Sequence, residues 1–162
     1  MQAWRDTILL MAFDAIGIIL LALVPKGRRK EAAAIFLFQQ FPAWILGLAV
    51  VELGWISYPV RDFQQASHTS FSFEFLLLPT IAVYYNLLFP AKARRKWQVA
   101  YTLGFGLALT GPEYLIMRMT RLIDYIHWEW YWTLLSVMGV LVLSRLFHTW
   151  FFGSELTRPL KP

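Results

Sequence analysis

Residues 71–90, FSFEFLLLPTIAVYYNLLFP, form an apolar stretch about as long as a helix must be to cross the hydrocarbon core of a bilayer. Three residues in it, Glu74, Pro79 and Asn86, are ones that a helix facing only lipid would avoid. Two apolar stretches precede it in the chain and two follow it. This arrangement predicts that residues 71–90 form the third of five membrane-spanning helices.

The composition of the whole chain agrees with a membrane protein. Hydrophobic residues make up 58% of the 162 residues, whereas about 45–50% is usual in soluble domains. The mean hydropathy is +0.50, and the apolar residues are concentrated in blocks that leave no room for a separate soluble domain. We therefore predict an all-α fold, with one integral-membrane domain over residues 1–153 and a short cytoplasmic tail over residues 154–162.

The five predicted spans are separated by short polar or basic segments. They cover approximately residues 7–24, 31–53, 71–90, 97–119 and 131–152. Pro59 prevents a regular helix through the middle of the loop that joins the second and third spans. We also predict a bend near Pro79 or Pro42, with Pro112 as a third candidate, because most sharp helix bends occur at proline.

Lysine and arginine are distributed unevenly between the two sides of the predicted bundle. The first and third loops hold four each and the tail holds two, whereas Arg5, Arg61 and Arg121 are the three on the opposite side. Because basic loops favour the cytoplasm, the sequence predicts an outer N-terminus and a cytoplasmic C-terminus. Tryptophan and tyrosine near residues 55–58 and 128–132 fit an aromatic belt at the outer interface.

Four motifs resemble a family of small multi-spanning membrane proteins of Bacillus-like and clostridial spore-forming bacteria. They are VVELGWISYPVRDF at 50–63, TSFSFEFLLLPTIAVYYNLLFP at 69–90, RLIDYIHWEWYWTLL at 121–135 and SRLFHTWFF at 144–152. The resemblance covers most of the chain. It implies a multi-pass protein of the bacterial cell (inner) membrane, and it attaches neither an activity nor catalytic residues to the chain.

Acidic residues are concentrated toward the outer ends of the predicted spans. Each of the first four spans contributes one carboxylate to this region. An ionisable side chain in a membrane costs at least a few kcal/mol, so it normally pairs with another group or lines a wet cavity. We therefore predict a ligand-binding group made of carboxylates and nearby polar residues. Its candidate members are Asp14, Glu113, Glu74, His127, Glu52 and Arg118.

Two interpretations of this group remain open from the sequence. Asp14 and Glu113, the deepest members, can be neutralised by Arg118 or Arg121 in a structural ion-pair network. Alternatively, they converge with Glu74 and no arginine, which would make a site suited to a cation. Arg118 follows Glu113 by five residues and points about 140° away around the same helix, so it is freer to meet a carboxylate from another span.

The sequence contains no recognisable catalytic or metal-binding motif. The absence of cysteine excludes disulfides and thiolate ligands. No His-Glu-x-x-His spacing, phosphate-binding loop or nucleophile elbow is present, so we predict no catalytic residues, no metal and no cofactor. The net charge of +5 comes from basic runs at span ends and does not indicate a nucleic-acid partner.

Other polar residues within the spans have simpler expected roles. We expect Asn86, Gln39 and Gln40 to form interhelical hydrogen bonds, and His148 and Arg145 to extend toward the headgroups. The expected partners are the lipid bilayer and another membrane protein or a second copy of the chain. A stripe of small residues, Ala100, Gly104 and Ala108, can support a dimer or close packing within one chain.

Three functions are compatible with these features. The sequence favours a non-enzymatic structural or accessory membrane component whose outer polar face is an interaction surface. The alternative is a small transporter or binder that receives a cation or cationic solute at the outer carboxylates. A membrane-embedded enzyme that uses a carboxylate and His127 as acid and base is the least favoured, because no catalytic motif supports it.

Overall fold

The computed structural model describes residues 2–156, and the predicted all-helical fold is confirmed over that range. The five helices are α1 Gln2–Ala22, α2 Arg29–Glu52, α3 Leu78–Leu87, α4 Arg95–Met119 and α5 Trp130–Leu156. A 3-10 turn at Lys26–Arg28 precedes α2, and a π-helical segment at Ser72–Leu77 runs directly into α3. Helix α5 therefore continues past the predicted end of the membrane domain, and residues 157–162 of the predicted tail lie outside the described residues.

Short connections make successive helices run in opposite directions, so the bundle has two distinct ends. The basic end contains the connections at 23–28 and 88–94. The strand end contains the connections at 53–71 and 120–129, which pair through two short strands, β1 Ile56–Ser57 and β2 Asp124–Tyr125. The strands are antiparallel, with Ile56 opposite Tyr125. This pairing was not predicted from the sequence, and it ties the two long connections together over the helix ends.

The π-helical segment adjoins Pro79, one of the predicted bend sites. Proline has no N–H, so Pro79 cannot donate to the carbonyl of Phe75 as an α-helix would require. Gln40 on α2 supplies a donor instead, with its Nε2 3.0 Å from Phe75 O. Pro42 and Pro112, in contrast, lie within continuous α-helices. Among the three predicted bend sites, the irregular backbone occurs beside Pro79, whose freed carbonyl partner receives a side-chain donor from a neighbouring helix.

Polar residues inside the bundle form hydrogen bonds between helices. The prediction of such bonds is confirmed for Asn86 and Gln40, two of the three residues for which it was made. Asn86 Nδ2 on α3 donates to Ser144 Oγ on α5 at 2.8 Å, and Gln40 bonds to Phe75 as described above. Gln39 does not follow the prediction. Its side chain is 0% exposed, and neither its Nε2 nor its Oε1 has a hydrogen-bond partner among the described residues.

The outer surface of the bundle is strongly apolar. Many large hydrophobic side chains on every long helix are exposed, among them Ile18 on α1, Phe41 on α2, Leu107 on α4 and Leu146 on α5. Soluble monomers rarely expose apolar patches of this extent. Two helical segments in the described part of the chain are long and apolar enough to cross a membrane, namely Lys26–Glu52 and Trp130–Gly153. Only 22% and 28% of their most apolar windows are buried, unlike the core helix of a soluble protein.

The close contact between α4 and α5 does not involve the predicted small-residue stripe. Ala100, Gly104 and Ala108 are all exposed. Gly106 lies on a different face of α4, and a Cβ at that position would come within 2.8 Å of Leu134 and 2.9 Å of Met138. Gly106 therefore permits the close approach of α5, while the three residues of the stripe lie exposed on other faces of α4.

Candidate functional site

Glu74 lies in the π-helical segment with its side chain directed at α2. It is 2% exposed, and neither carboxyl oxygen has a hydrogen-bond partner among the described residues. The Thr69 hydroxyl is near enough to interact with the carboxyl, but it forms no hydrogen bond with either carboxyl oxygen. Its hydrogen-bond partner is Ser67 Oγ at 3.0 Å. The carboxyl fills the space beside Gly47, where an added Cβ would lie 1.8 Å from Oε1. A carboxyl this deeply buried without a partner is costly, which makes Glu74 a functional candidate.

A small cavity of about 50 Å³ lies beside Glu74, between α2, the π-helical segment and α5. Its polar lining comes from five side chains, Glu74, Glu113, Tyr58, Thr133 and Ser136, and the remainder of its wall is mainly apolar. No lysine or arginine is among these described lining residues. The space is sufficient for one or two water-sized occupants. We call it the acidic cavity, because the carboxyls of two helical segments line it without a compensating base.

Glu113 enters the acidic cavity from α4, and hydroxyl groups hold its carboxyl in place. Its Oε1 accepts hydrogen bonds from Tyr125 Oη at 2.5 Å and from Thr133 Oγ1 at 2.9 Å. Trp128 Nε1 in turn donates to Thr133 Oγ1 at 2.9 Å. Both of these hydrogen bonds to the Glu113 carboxyl go to Oε1. The strand pair thus positions Tyr125, and α5 positions Thr133, around one oxygen of Glu113.

Tyr58, which follows β1, is the third ionisable group at the acidic cavity. Burial, together with the negative charges of Glu113 and Glu74, raises the pKa of its hydroxyl well above the usual value. Burial and the charge of Glu113 likewise raise the pKa of Tyr125. Both tyrosines therefore stay protonated and can serve only as neutral hydrogen-bonding groups near the two carboxyls.

Asp14 is not part of the acidic cavity. It lies near Ser72, whose hydroxyl donates to Asp62 Oδ2 at 2.5 Å, and Asp14 Oδ1 is buried without a hydrogen-bond partner among the described residues. Close packing of α1 on the π-helical segment explains this position, since a Cβ at Gly17 would come within 2.9 Å of Leu76. Two of the predicted carboxyls, Glu74 and Glu113, therefore lie together at the acidic cavity. Asp14 lies apart from them, near Asp62.

The other three predicted site residues lie on the surface of the strand end. Glu52 is exposed at the last residue of α2, and His127 is exposed beside the strand pair. Arg118 is also exposed, with its Nε 3.2 Å from Tyr114 Oη and its guanidinium 5.4 Å from the centre of that ring. Arg118 therefore contacts an aromatic side chain of its own helix and does not lie between the carboxyls.

A polar network at the basic end was not predicted from the sequence. His148 is 2% exposed and its Nε2 lies 2.6 Å from Glu31 Oε1. Glu31 is also bonded by Arg28, and Arg145 Nη1 lies 3.0 Å from His148 Nδ1. Since an arginine N–H can only donate, Nδ1 must accept and Nε2–H must donate to Glu31. The expectation that His148 extends toward headgroups is wrong, because α2 and α5 enclose it.

Sequence reasoning missed several residues of the acidic cavity for identifiable reasons. Tyr58 was interpreted as part of an interfacial aromatic belt, Tyr125 lies in a connection to which no site was assigned, and Thr133 is a common residue in any span. Gly47 gave no signal because a glycine within a membrane helix is ordinary. The one available signal was the coincidence of Glu74 with Pro79 in the same span, which marks a helix that cannot face lipid on all sides.

Metal ligands do not cluster in the described part of the chain, where no three histidine, aspartate or glutamate side chains come together. No protein-family model, curated protein or solved structure matches this chain. The function therefore has to be inferred from the geometry and chemistry of the residues themselves.

Proposed function

We propose that the protein is a five-span integral protein of the bacterial cell membrane, with the strand end outside and the basic end in the cytoplasm. Two helices meet the length and apolarity needed for a span. Helices α1 and α4 also expose large apolar side chains, such as Ile18 and Leu107, which lipid would cover. The weaker span signals of these helices are consistent with charged residues, Asp14 in α1 and Glu113 in α4, that are turned toward the protein.

We further propose that this membrane protein binds a cation, or the cationic group of a solute, in the acidic cavity. One observation carries the proposal: Glu74 is 2% exposed, has no hydrogen-bond partner on either oxygen, and lines the same cavity as Glu113. A cation would supply the partner that the Glu74 carboxyl lacks, and it would balance the charge of Glu113 beside it. The oxygen-only polar lining is of the kind that suits hard cations and ammonium groups.

A purely structural role for the carboxylates has less support from this geometry. A structural network would place Arg118 or Arg121 among them, but Arg118 contacts Tyr114 and neither arginine lines the cavity. The group that does have the form of an ion-pair network is at the basic end, where Glu31 meets Arg28 and His148. If cations do not bind at the acidic cavity, we would instead conclude that the protein is a structural or accessory membrane component.

Carbodiimide protection provides a direct test. Dicyclohexylcarbodiimide is apolar and modifies protonated carboxyls in apolar surroundings, so it should modify Glu74 in the detergent-solubilised protein. Peptide mass spectrometry would measure the rate in sodium, potassium or methylammonium chloride against the bulky cation N-methylglucamine at equal ionic strength. We expect at least one small cation to slow the modification several-fold and in a saturable manner, because its binding keeps Glu74 ionised.

Three variants make this test specific. Glu74→Gln removes the modified group, and Glu113→Gln should abolish the protection while Glu74 is still modified. Glu52→Gln, which changes an exposed carboxyl on α2, should leave both the rate and the protection unchanged. Modification of Glu74 at one rate in all four salts would reject the cation site and leave the structural role.

A further inference from the structure

A second and larger cavity separates α1 from α4 in the half of the bundle near the strand end. It has a volume of about 280 Å³, close to the lower limit of about 300 Å³ for small-molecule pockets. Helix α1 packs mainly on the π-helical segment and leaves this space beside α4. We call it the α1–α4 gap.

The α1–α4 gap is apolar at one end and polar at the other. Ile16, Ile81 and Ala108 line the part that lies toward the middle of the bundle. Toward the strand end the lining includes four polar side chains, Tyr58, Ser70, Ser72 and Glu113. The part of α4 that lines the gap, from Ala108 to Ile116, spans a rise of about 12 Å.

The polar end of the gap is negatively charged. Glu113 lines both the gap and the acidic cavity, and its Oε1 is already bonded to Tyr125 and Thr133. On the opposite wall, Ser72 is bonded to Asp62 and lies beside Asp14. No lysine or arginine is among the described residues that line the gap.

We propose that the α1–α4 gap binds an amphipathic ammonium compound, with its alkyl chain against Ile16, Ile81 and Ala108 and its cationic head at Glu113. The apolar wall alone would suit any lipid chain, but the carboxyls at its polar end disfavour phosphate and carboxylate heads. The inference rests on the proposed cation site and defines its ligand class, because Glu113 belongs to both spaces.

Photolabelling of the wild-type protein tests this inference without any substitution. The probe is n-decylammonium with a diazirine near the end of its chain, used in neutral detergent and followed by peptide mapping. We expect labels at the apolar end of the gap, around Ile16 of α1, Ile81 of α3 and Ala108 of α4. Unlabelled n-decylammonium should compete roughly tenfold better than n-decanol or decanoate, the difference expected from one charge-assisted hydrogen bond.

Two matched substitutions on α4 test where the alkyl chain of the ligand lies. Ala108→Trp fills the apolar end of the gap and should reduce the labelling strongly. Ala100→Trp adds the same side chain at an exposed position outside the gap and should not. Glu113→Gln should remove the preference for the ammonium over the alcohol.

The inference would be overturned by equal competition from n-decanol, by labels spread over lipid-facing positions such as Leu146, or by insensitivity to Ala108→Trp. If Glu74 is still protected by small cations in that case, only the ligand class is lost. If the protection is absent as well, the cation site itself is rejected.

Discussion

The carboxyl group of Glu74 occupies the volume beside the Gly47 backbone in which any other residue would place its Cβ. The added Cβ would lie 1.8 Å from Glu74 Oε1 and 2.4 Å from Cδ. Glycine on α2 is therefore what allows a carboxyl from the π-helical segment to be buried against a neighbouring helix. The same contact directs Glu74 toward the acidic cavity rather than toward lipid.

Gly47→Ala should disturb the acidic cavity more than the fold. The displaced atoms are at the end of a flexible side chain, so Glu74 can move aside, and we expect the free energy of unfolding to fall by about 1–3 kcal/mol. Cation protection of Glu74 against carbodiimide should be lost. Gly104→Ala is the matched control, because no atom lies within 4 Å of its added Cβ; it should be neutral or slightly stabilising. If cations protected Glu74 equally well in Gly47→Ala and Gly104→Ala, the proposed role of the contact between Glu74 and Gly47 would be wrong.

Two adjacent glutamines on α2 should respond in opposite ways to the same substitution. Gln40→Leu removes the donor to Phe75 O beside Pro79 and should destabilise the protein by about 0.6–2 kcal/mol. Gln39→Leu removes a buried amide that has no hydrogen-bond partner among the described residues, so it should be neutral or stabilising. Thermal unfolding in detergent measures both. A larger loss for Gln39→Leu would show that the amide has a partner, such as a water.

The network at the basic end should contribute to stability. Glu31→Ala leaves the buried His148 Nε2–H without its acceptor and Arg28 without its ion pair, so we expect a loss of about 1–3 kcal/mol. Glu52→Ala removes a carboxylate from the other end of the same helix, where it is exposed, and should change stability by less than about 0.5 kcal/mol. Chemical unfolding of the two variants in detergent provides the comparison. If Glu31→Ala and Glu52→Ala were equally stable, the contact between Glu31 and His148 would contribute nothing to the free energy of unfolding.

The proposed orientation can be tested with single cysteines, since the natural chain has none. Gln65→Cys at the strand end and Gly27→Cys at the basic end both place a thiol at an exposed position. In intact cells, an impermeant maleimide should label residue 65 and not residue 27, and both should react after the membrane is permeabilised. The reverse pattern would invert the topology, and labelling of both in sealed cells would reject the five-span arrangement.

The class of structure could be predicted because it depends on local properties of the chain. Blocks of about twenty apolar residues, separated by basic runs, predict helices whose ends are near the observed ones. The prolines predicted a bend near Pro79 or Pro42, and the π-helical segment adjoins Pro79. The amides of Gln40 and Asn86 could be assigned to helix contacts because an unpaired amide in lipid is costly.

Tertiary structure alone decided which ionisable groups meet. Glu74 and Glu113 share a cavity while Asp14 does not, and Glu31 contacts His148 across 117 residues. These outcomes depend on the rotation of each helix about its own axis and on which helices are neighbours. In a chain that lipid surrounds, the outward face is as apolar as the inward one, so the hydrophobic pattern carries little information about rotation. The sequence by itself therefore determined helices and their ends, and tertiary contacts such as that of the Glu74 carboxyl with the Gly47 backbone determined the site.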